Sequence, residues 1–213
     1  MSIIFKNNNV SGLEAAIRSM RNPMDSWVGS DSYTNTIGAF IIGEKDLELA
    51  KKLVKNGDDH GKIARMIHVS IDVTAPMYWW KEFDTYKVGT VRMSCSTMHK
   101  IHSRELTIDD FSHEHLFDES LAALENMLFV INHYRNLFVS PGIATPVVDK
   151  KEYWWQMIQL LPSSFNQMAT IDLNYQTLRN IYRARKSHKL DEWTAFTSWI
   201  ASLPYANELI IGE

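Results

Sequence analysis

From Ile67 to Val73 the chain alternates. Ile67, Val69, Ile71 and Val73 are apolar and the residues between them are more polar, which is the period of a half-buried strand. Pro76 follows. It fixes its own φ and needs no backbone donor, which suits the first turn of a helix. Trp79, Trp80, Phe83 and Tyr86 then recur at helical spacing. The spacing predicts a helix over Met77–Tyr86, about three turns long, with one broad face buried. Lys81, Glu82, Asp84 and Lys87 ride on it. Beyond Gly89 the periodicity gives way to Thr90, Ser94, Ser96 and Thr97, with Arg92, His99 and Lys100 among them. This reads as a polar loop. It is either a helix cap with a solvated run or a platform for an anion or nucleotide.

The rest of the pattern is mainly helical. A short strand is predicted at Ile3–Lys6 and a helix over Gly12–Met20, with Ser11 as its N-cap and Leu13, Ala16, Ile17 and Met20 inward. Asn22–Thr36 is turn-rich and should be an ordered loop that buries Trp27, Val28 and Tyr33. Glu44–Lys55 places Leu47, Ala50, Leu53 and Val54 on one face, and Asn56-Gly57 ends that helix. Ile108–Asp110 opens a loop. A long helix then runs from about His115 to Phe138 through Leu121, Leu124, Leu128 and Ile131. Pro141-Gly142 and Pro146 break the chain. Lys150–Leu160 is a short helix stopped by Leu161-Pro162. Ser163–Leu173 alternates as an extended run, and helices over Tyr175–Lys186 and Lys189–Leu203 close the chain. With no repeat, low-complexity stretch or linker, residues 1–213 read as a single domain. Its class is α+β, mostly helical with a small antiparallel or mixed sheet.

Composition narrows the function. The hydrophobic share is 45% and the net charge is −3, which fits a globular chain and argues against one that coats nucleic acid. A small anionic ligand needs only a local basic pocket. One cysteine rules out an internal disulfide and suits a cytoplasmic setting. No apolar run approaches a membrane span, and MSIIFKNNNV lacks the features of a signal peptide. Seven tryptophans and eight tyrosines suggest a large core or subunit contacts. No Gly-x-Gly-x-x-Gly or phosphate loop is present. His113 and His115 do not share a helix face and have no partner at zinc spacing. Asp109, Asp110 and Glu114 read as a helix-start acidic cluster.

Two stretches taken together carry a resemblance. The central one ends a strand in Ala75-Pro76 and opens an aromatic helix. The second, from Leu161, has Leu-Pro, an extended run, and then Asn174, Leu178 and Arg185 on a helix. With the helix and Gly-His-type turn over Leu47–His60, the order resembles that of the flavin-dependent thymidylate synthases across nearly the whole chain. The resemblance implies a thymidylate synthase-complementing-protein-like fold. It also implies a homotetramer with FAD and nucleotide held between subunits, and transfer of a methylene from methylenetetrahydrofolate to the uracil ring of dUMP. Reduced flavin supplies the hydride, with NADPH as a further co-substrate. The family uses no protein nucleophile, and an arginine polarises the base.

Carried over, Arg185 resembles that arginine and is the candidate catalytic residue. Asn174 and Asn180 resemble asparagines that face flavin and nucleotide. His188 resembles a histidine against the flavin, with a one-residue slip. Where the family has Arg-His-Arg, this chain has Thr85-Tyr86-Lys87, which puts Tyr86 and Lys87 on the candidate cofactor side. The family's serine beyond that signature falls at Cys95, its Asn-Glu at Arg92-Met93, its later arginine at Thr97 and a further nucleotide-binding arginine at Ile158. The candidate substrate residues are therefore Glu82, Arg92, Ser94, Cys95, Ser96 and His99, with Lys87, Arg92 and His99 as cations for a phosphate. Two other readings stand beside this one. Helical arginines near Arg179 and Arg183 are usually surface residues, and a lone Cys95 is usually packed rather than nucleophilic. The altered signature also fits a nucleotide-binding protein that has lost flavin catalysis.

Overall fold

The computed structural model describes residues 3–140 and 148–212. The breaks expected at Pro141-Gly142 and Pro146 lie outside the described residues. The elements are β1 (Ile4–Ser11), α1 (Leu13–Ser19), β2 (Tyr33–Thr34), β3 (Phe40–Ile41), α2 (Glu44–Lys55), β4 (His68–Pro76), α3 (Met77–Phe83), β5 (Thr90–Ser94), α4 (Thr97–Lys100), α5 (Asp118–Val139), α6 (Lys150–Leu160), β6 (Asn166–Asn174), α7 (Tyr175–Arg185) and α8 (Asp191–Ala201). A four-stranded sheet has the order β1-β4-β6-β5, and β2 pairs with β3. The class is α+β, mostly helical with a small antiparallel sheet. The chain divides into two compact units. One comprises Met1–Ile4, Val73–Asp84 and Met93–Ala169; the other comprises Phe5–Asp72, Thr85–Arg92 and Thr170–Glu213.

In the first unit α5 packs along α6. Leu124, Leu128 and Ile131 of α5 join Ile101, Leu106, Phe111 and Met157 in one apolar core. These are the positions at which the long helix repeats its apolar residues, so the helical period selects the face that leaves water. Trp79, Trp80 and Phe83 of α3 form a second cluster, their ring centroids 4.9–5.4 Å apart. No side chain caps α3. Its first N–H groups, on Met77 and Tyr78, donate instead to the carbonyls of Phe165 and Ser163, which satisfies donors that a helix start leaves unpaired.

In the second unit α7 packs against α8, the 3₁₀ segment Gly61–Arg65 and the C-terminal turn Asn207–Ile211. The sheet's polar face there is cross-linked by carboxylates. Asp72 accepts from Asn7 on β1 and from Thr170 on β6, both at 2.6 Å. Asp172 accepts from the Ser70 hydroxyl at 2.6 Å and lies 3.1 Å from His68 Nδ1. These pairs fix the register that the Val69–Ile71 alternation demands, because a slip of one residue would turn the carboxylates into the core. Asp46, on α2, is fully buried. It takes the Ser30 and Ser32 hydroxyls at 2.6 Å, Arg21 Nε at 2.6 Å and two backbone N–H groups. Burial pushes its carboxyl up, but the Ser30, Ser32 and Arg21 hydrogen bonds outweigh burial and hold it below the usual carboxylate value.

Several expectations need correction. The first strand runs on to Ser11, so Ser11 is not a cap. Gly12 begins α1 at φ +85°, with no side-chain cap bond, and a Cβ there would collide with the Met66 carbonyl oxygen. The aromatic helix stops at Phe83, leaving Tyr86 beyond it. The polar run after Gly89 is not a loop. Thr90–Ser94 forms the edge strand β5, and Ser96 then caps α4 through the His99 N–H. An edge strand needs no alternating apolar face, so the pattern does not announce it. Trp27, Val28 and Tyr33 are not buried; Val28 is wholly exposed and the other two about half so. The Asp46 network orders their loop without a core beneath it.

Candidate functional site

In the second unit several of the candidate residues gather on and around α7. Asn174 is the N-cap, and its Oδ1 accepts from the Thr177 N–H at 2.9 Å. The Thr177 hydroxyl lies 3.1 Å from both Asn174 Oδ1 and the Val88 carbonyl. Gly89 (φ +70°) sits so close above this cap that a Cβ would come within 2.8 Å of Asn174 Nδ2 and 2.9 Å of Thr177 Oγ1. The stretch after the aromatic helix is thus tied to the start of α7.

It is tied to the other end as well. Arg185, in the last turn of α7, donates from Nε to the Tyr86 hydroxyl at 2.8 Å. Its guanidinium carbon stands 4.7 Å from the Trp193 ring centroid and 5.6 Å from that of Tyr86. Those two rings meet edge-on at 6.0 Å. A planar cation can donate in its plane and stack over its faces at once, which a lysine ammonium cannot do. Its place at a helix C-terminus also favours positive charge. His188 packs edge-on to Trp193 at 6.2 Å, and its Nδ1 accepts from the Leu190 N–H.

In the N-terminal half of α7, Gln176 and Arg179 are buried, and sequence reasoning missed both as site residues. Gln176 Nε2 donates to Asp58 at 3.0 Å and lies 3.4 Å from Asn180 Oδ1. Arg179 donates to the Val54 carbonyl at 2.7 Å, closing the end of α2. Burial, reinforced by Arg183 and opposed by Asp58, lowers the Arg179 pKa. Gln176 Oε1 and Arg179 Nε have no hydrogen-bond partner among the described residues. An acceptor and a donor left buried on one helix are a place where a polar group of a ligand would be satisfied. A signal was available in the three arginines of YQTLRNIYRAR, but their spacing does not say which one turns inward. Asn180 itself is exposed, as is Lys87; Arg92 is half-buried on β5.

The first unit holds the remaining candidates. Cys95 and Ser96 line a pocket of about 220 Å³ together with Thr97, Lys100, Arg104 and Gln167. Cys95 is exposed and reduced. Its backbone is pinned by its N–H to the Met168 carbonyl at 2.9 Å, and its carbonyl accepts from Gln167 Nε2 at 2.8 Å. Gln167 also reaches Thr97 Oγ1 at 3.1 Å. Arg104 forms a two-point ion pair with Asp110. Ser94 ends β5, His99 lies on α4 and Glu82 on α3. Thr97 and Lys100 belong to the polar run singled out in the sequence, but Arg104 and Gln167 escaped the sequence reading because the wall they share with α4 joins the turn after it and β6, which are far apart in the chain.

Compared with known proteins, the chain matches no family model and no curated protein. Solved structures do match. Two are of the flavin-dependent thymidylate synthase ThyX from Helicobacter pylori, each complexed with FAD and dUMP. Both are 16% identical, with TM-scores of 0.64 and 0.68, and the match covers 99% of this chain and 97% of theirs. A third is a UMP/dUMP methylase, PolB, from Streptomyces cacaoi, bound with 5-Br dUMP. It is 12% identical, with a TM-score of 0.63, over 99% of this chain and 94% of that one. The fold is that of these enzymes. No helix among the described residues is long and apolar enough to cross a membrane.

Proposed function

We propose that this chain is a nucleotide-modifying enzyme of the flavin-dependent thymidylate synthase type, which carries a one-carbon unit to a pyrimidine nucleotide such as dUMP. The observation that carries the reading is Arg185. It stands where the resemblance puts the base-polarising arginine, and its own unit holds it by Tyr86 and Trp193. A guanidinium held in place donates to a base carbonyl and stabilises negative charge that builds up on the ring during addition. Arg92 and Lys87 of the same unit bind the phosphate.

Flavin fits the donor set of α7. Gln176 Oε1, buried and without a hydrogen-bond partner among the described residues, matches a flavin or ribityl donor, and Asn180 and His188 follow it in sequence. These three residues would hold the group, and Asn174 would act through its cap on the helix. When bound in reduced form, the flavin supplies hydride. Methylenetetrahydrofolate and NADPH are the co-substrates under this reading. Subunit assembly completes it as a homotetramer. Phe117, Phe129 and Val130, large apolar side chains left in water on and beside α5, are surface that such assembly would cover.

The test is the purified protein. Expected are blue-light absorption from bound or reconstituted flavin, calorimetric binding of dUMP and a tetrameric mass by light scattering. Arg185→Lys keeps the charge but alters the fork, and turnover should fall about a hundredfold or more. Arg92→Ala should weaken dUMP by about 1.5–3 kcal/mol if it bonds the phosphate. A colourless protein that binds dUMP but never takes flavin would replace the enzyme with a nucleotide-binding protein. Unchanged dUMP affinity and turnover in Arg185→Ala would remove Arg185 from the site.

A further inference from the structure

Tyr86 occupies the middle of a signature that, by resemblance, should carry histidine, and it is bonded to the one arginine on which the proposed chemistry turns. Two of the contacts that hold the guanidinium of Arg185 act in different directions. Its Nε donates to the Tyr86 oxygen at 2.8 Å, which sets the direction of one in-plane donor. The Trp193 ring lies 4.7 Å from the guanidinium carbon, with Tyr86 at 5.6 Å, which limits tilt of the plane. The rings are themselves held. Trp193 is fully buried in α8 and meets Phe196 edge-on at 5.8 Å. Tyr86 meets Trp193 at 6.0 Å, and three residues on, Gly89 is seated on the α7 cap through its close approach to Asn174 and Thr177.

We infer that Tyr86 and Trp193 are positioning residues that hold the guanidinium of Arg185 in one plane, so that it meets the pyrimidine already oriented. The inference rests on the proposed function for what Arg185 meets, but not for the clamp itself. An arginine side chain carries about 2 kcal/mol of rotamer entropy, and fixing it before the ligand arrives removes that cost from the reaction step. The phenol contributes as an acceptor and the indole as a face. Tyr86→Phe therefore separates the two, keeping the ring and removing only the oxygen.

The experiment uses the whole chain and two readouts. The first is the ¹⁵N-resolved Nε–H signal of Arg185, identified by its loss in Arg185→Lys. In the parent protein this proton should exchange slowly. In Tyr86→Phe exchange should quicken roughly tenfold, the scale of one hydrogen bond to a charged group. Trp193→Phe, which keeps a smaller ring in the same place, should quicken it less. Slow exchange retained in both variants would overturn the clamp. The second readout is dUMP binding and turnover. Tyr86→Phe should lower turnover about tenfold while dUMP affinity stays within about twofold, the signature of lost orientation rather than lost binding. Faster exchange with unaltered turnover would overturn the positioning role. If the parent protein neither binds dUMP nor turns it over, the nucleotide reading fails, while the clamp still stands or falls on the exchange data.

Discussion

Arg21 and Arg185 are both held by side chains of their own unit, Arg21 by a carboxylate and Arg185 by a phenol and an indole. Arg21 is buried, and three of its nitrogens are engaged. Nε and Nη2 meet Asp46 at 2.6 Å, and Nη1 meets the Ser26 carbonyl at 3.1 Å. Its charge is neutralised where it sits, and the pair ties the Asn22–Ser32 turns to α2. Arg185 is half-buried and held by a phenol and an indole. The carboxylate ties Arg21 into the framework, and the pair is sealed from water. The rings limit the tilt of the Arg185 guanidinium, which keeps a solvent-facing part. Sequence alone shows only two arginines, each at the end of a helix.

The largest test of that contrast is Asp46→Ala. It should cost about 3–5 kcal/mol in urea or thermal unfolding, because Arg21 is left buried without its counter-charge. A loss below about 1 kcal/mol would abolish the distinction, since that is the scale of an exposed pair. Acid should act the same way more gradually. Burial raises the Asp46 and Asp110 carboxyls, but hydrogen bonds from Ser30, Ser32 and Arg21 to the one, and from Arg104 and Thr107 to the other, hold both below the usual value. Their stabilisation is therefore complete above about pH 4, the unfolded-state value. It is lost as pH falls through the lower folded-state values. A urea-midpoint series across that range should fall more shallowly in Asp46→Ala.

Gly89→Ala comes next, at about 1–3 kcal/mol, because it combines a left-handed φ with a collision into the α7 cap. Asn174→Ala should cost about 1 kcal/mol as a lost cap. Arg185→Ala, which removes the ring contacts and the hydrogen bond to Tyr86 from a half-exposed position, should stay at about 1 kcal/mol. A stability loss as large as that of Asp46→Ala would make Arg185 a framework residue too.

Much of the backbone was legible. Glu44–Lys55 and Lys150–Leu160 form at the residues predicted, because an apolar stripe with an Asn-Gly stop, or a Leu-Pro stop, is local information. The β4 alternation and the start of α7 at Tyr175 are equally local. The site was legible only in outline. Arg185 is singled out by the resemblance, through its spacing from Pro162 and Asn174, and its role belongs to the proposed function; Cys95 and Ser96 line a pocket. Gln176, Arg179, Arg104 and Gln167 were not seen as site residues, because one α7 sequence supports several inward faces and the pocket joins segments distant in the chain.

What the sequence determined by itself was periodicity, capping and chain breaks, hence the helices, the strand faces and the fold class they compose. These depend on neighbours within one or two turns. What tertiary structure decided was partnership. Asp46 finds Arg21 across 25 residues, and Arg185 finds Tyr86 across 99. Such pairs form only after the chain has closed its loops and excluded water. The free energy that sorts a buried ion pair from a ring-held cation comes from the surroundings at that point, which no local pattern encodes.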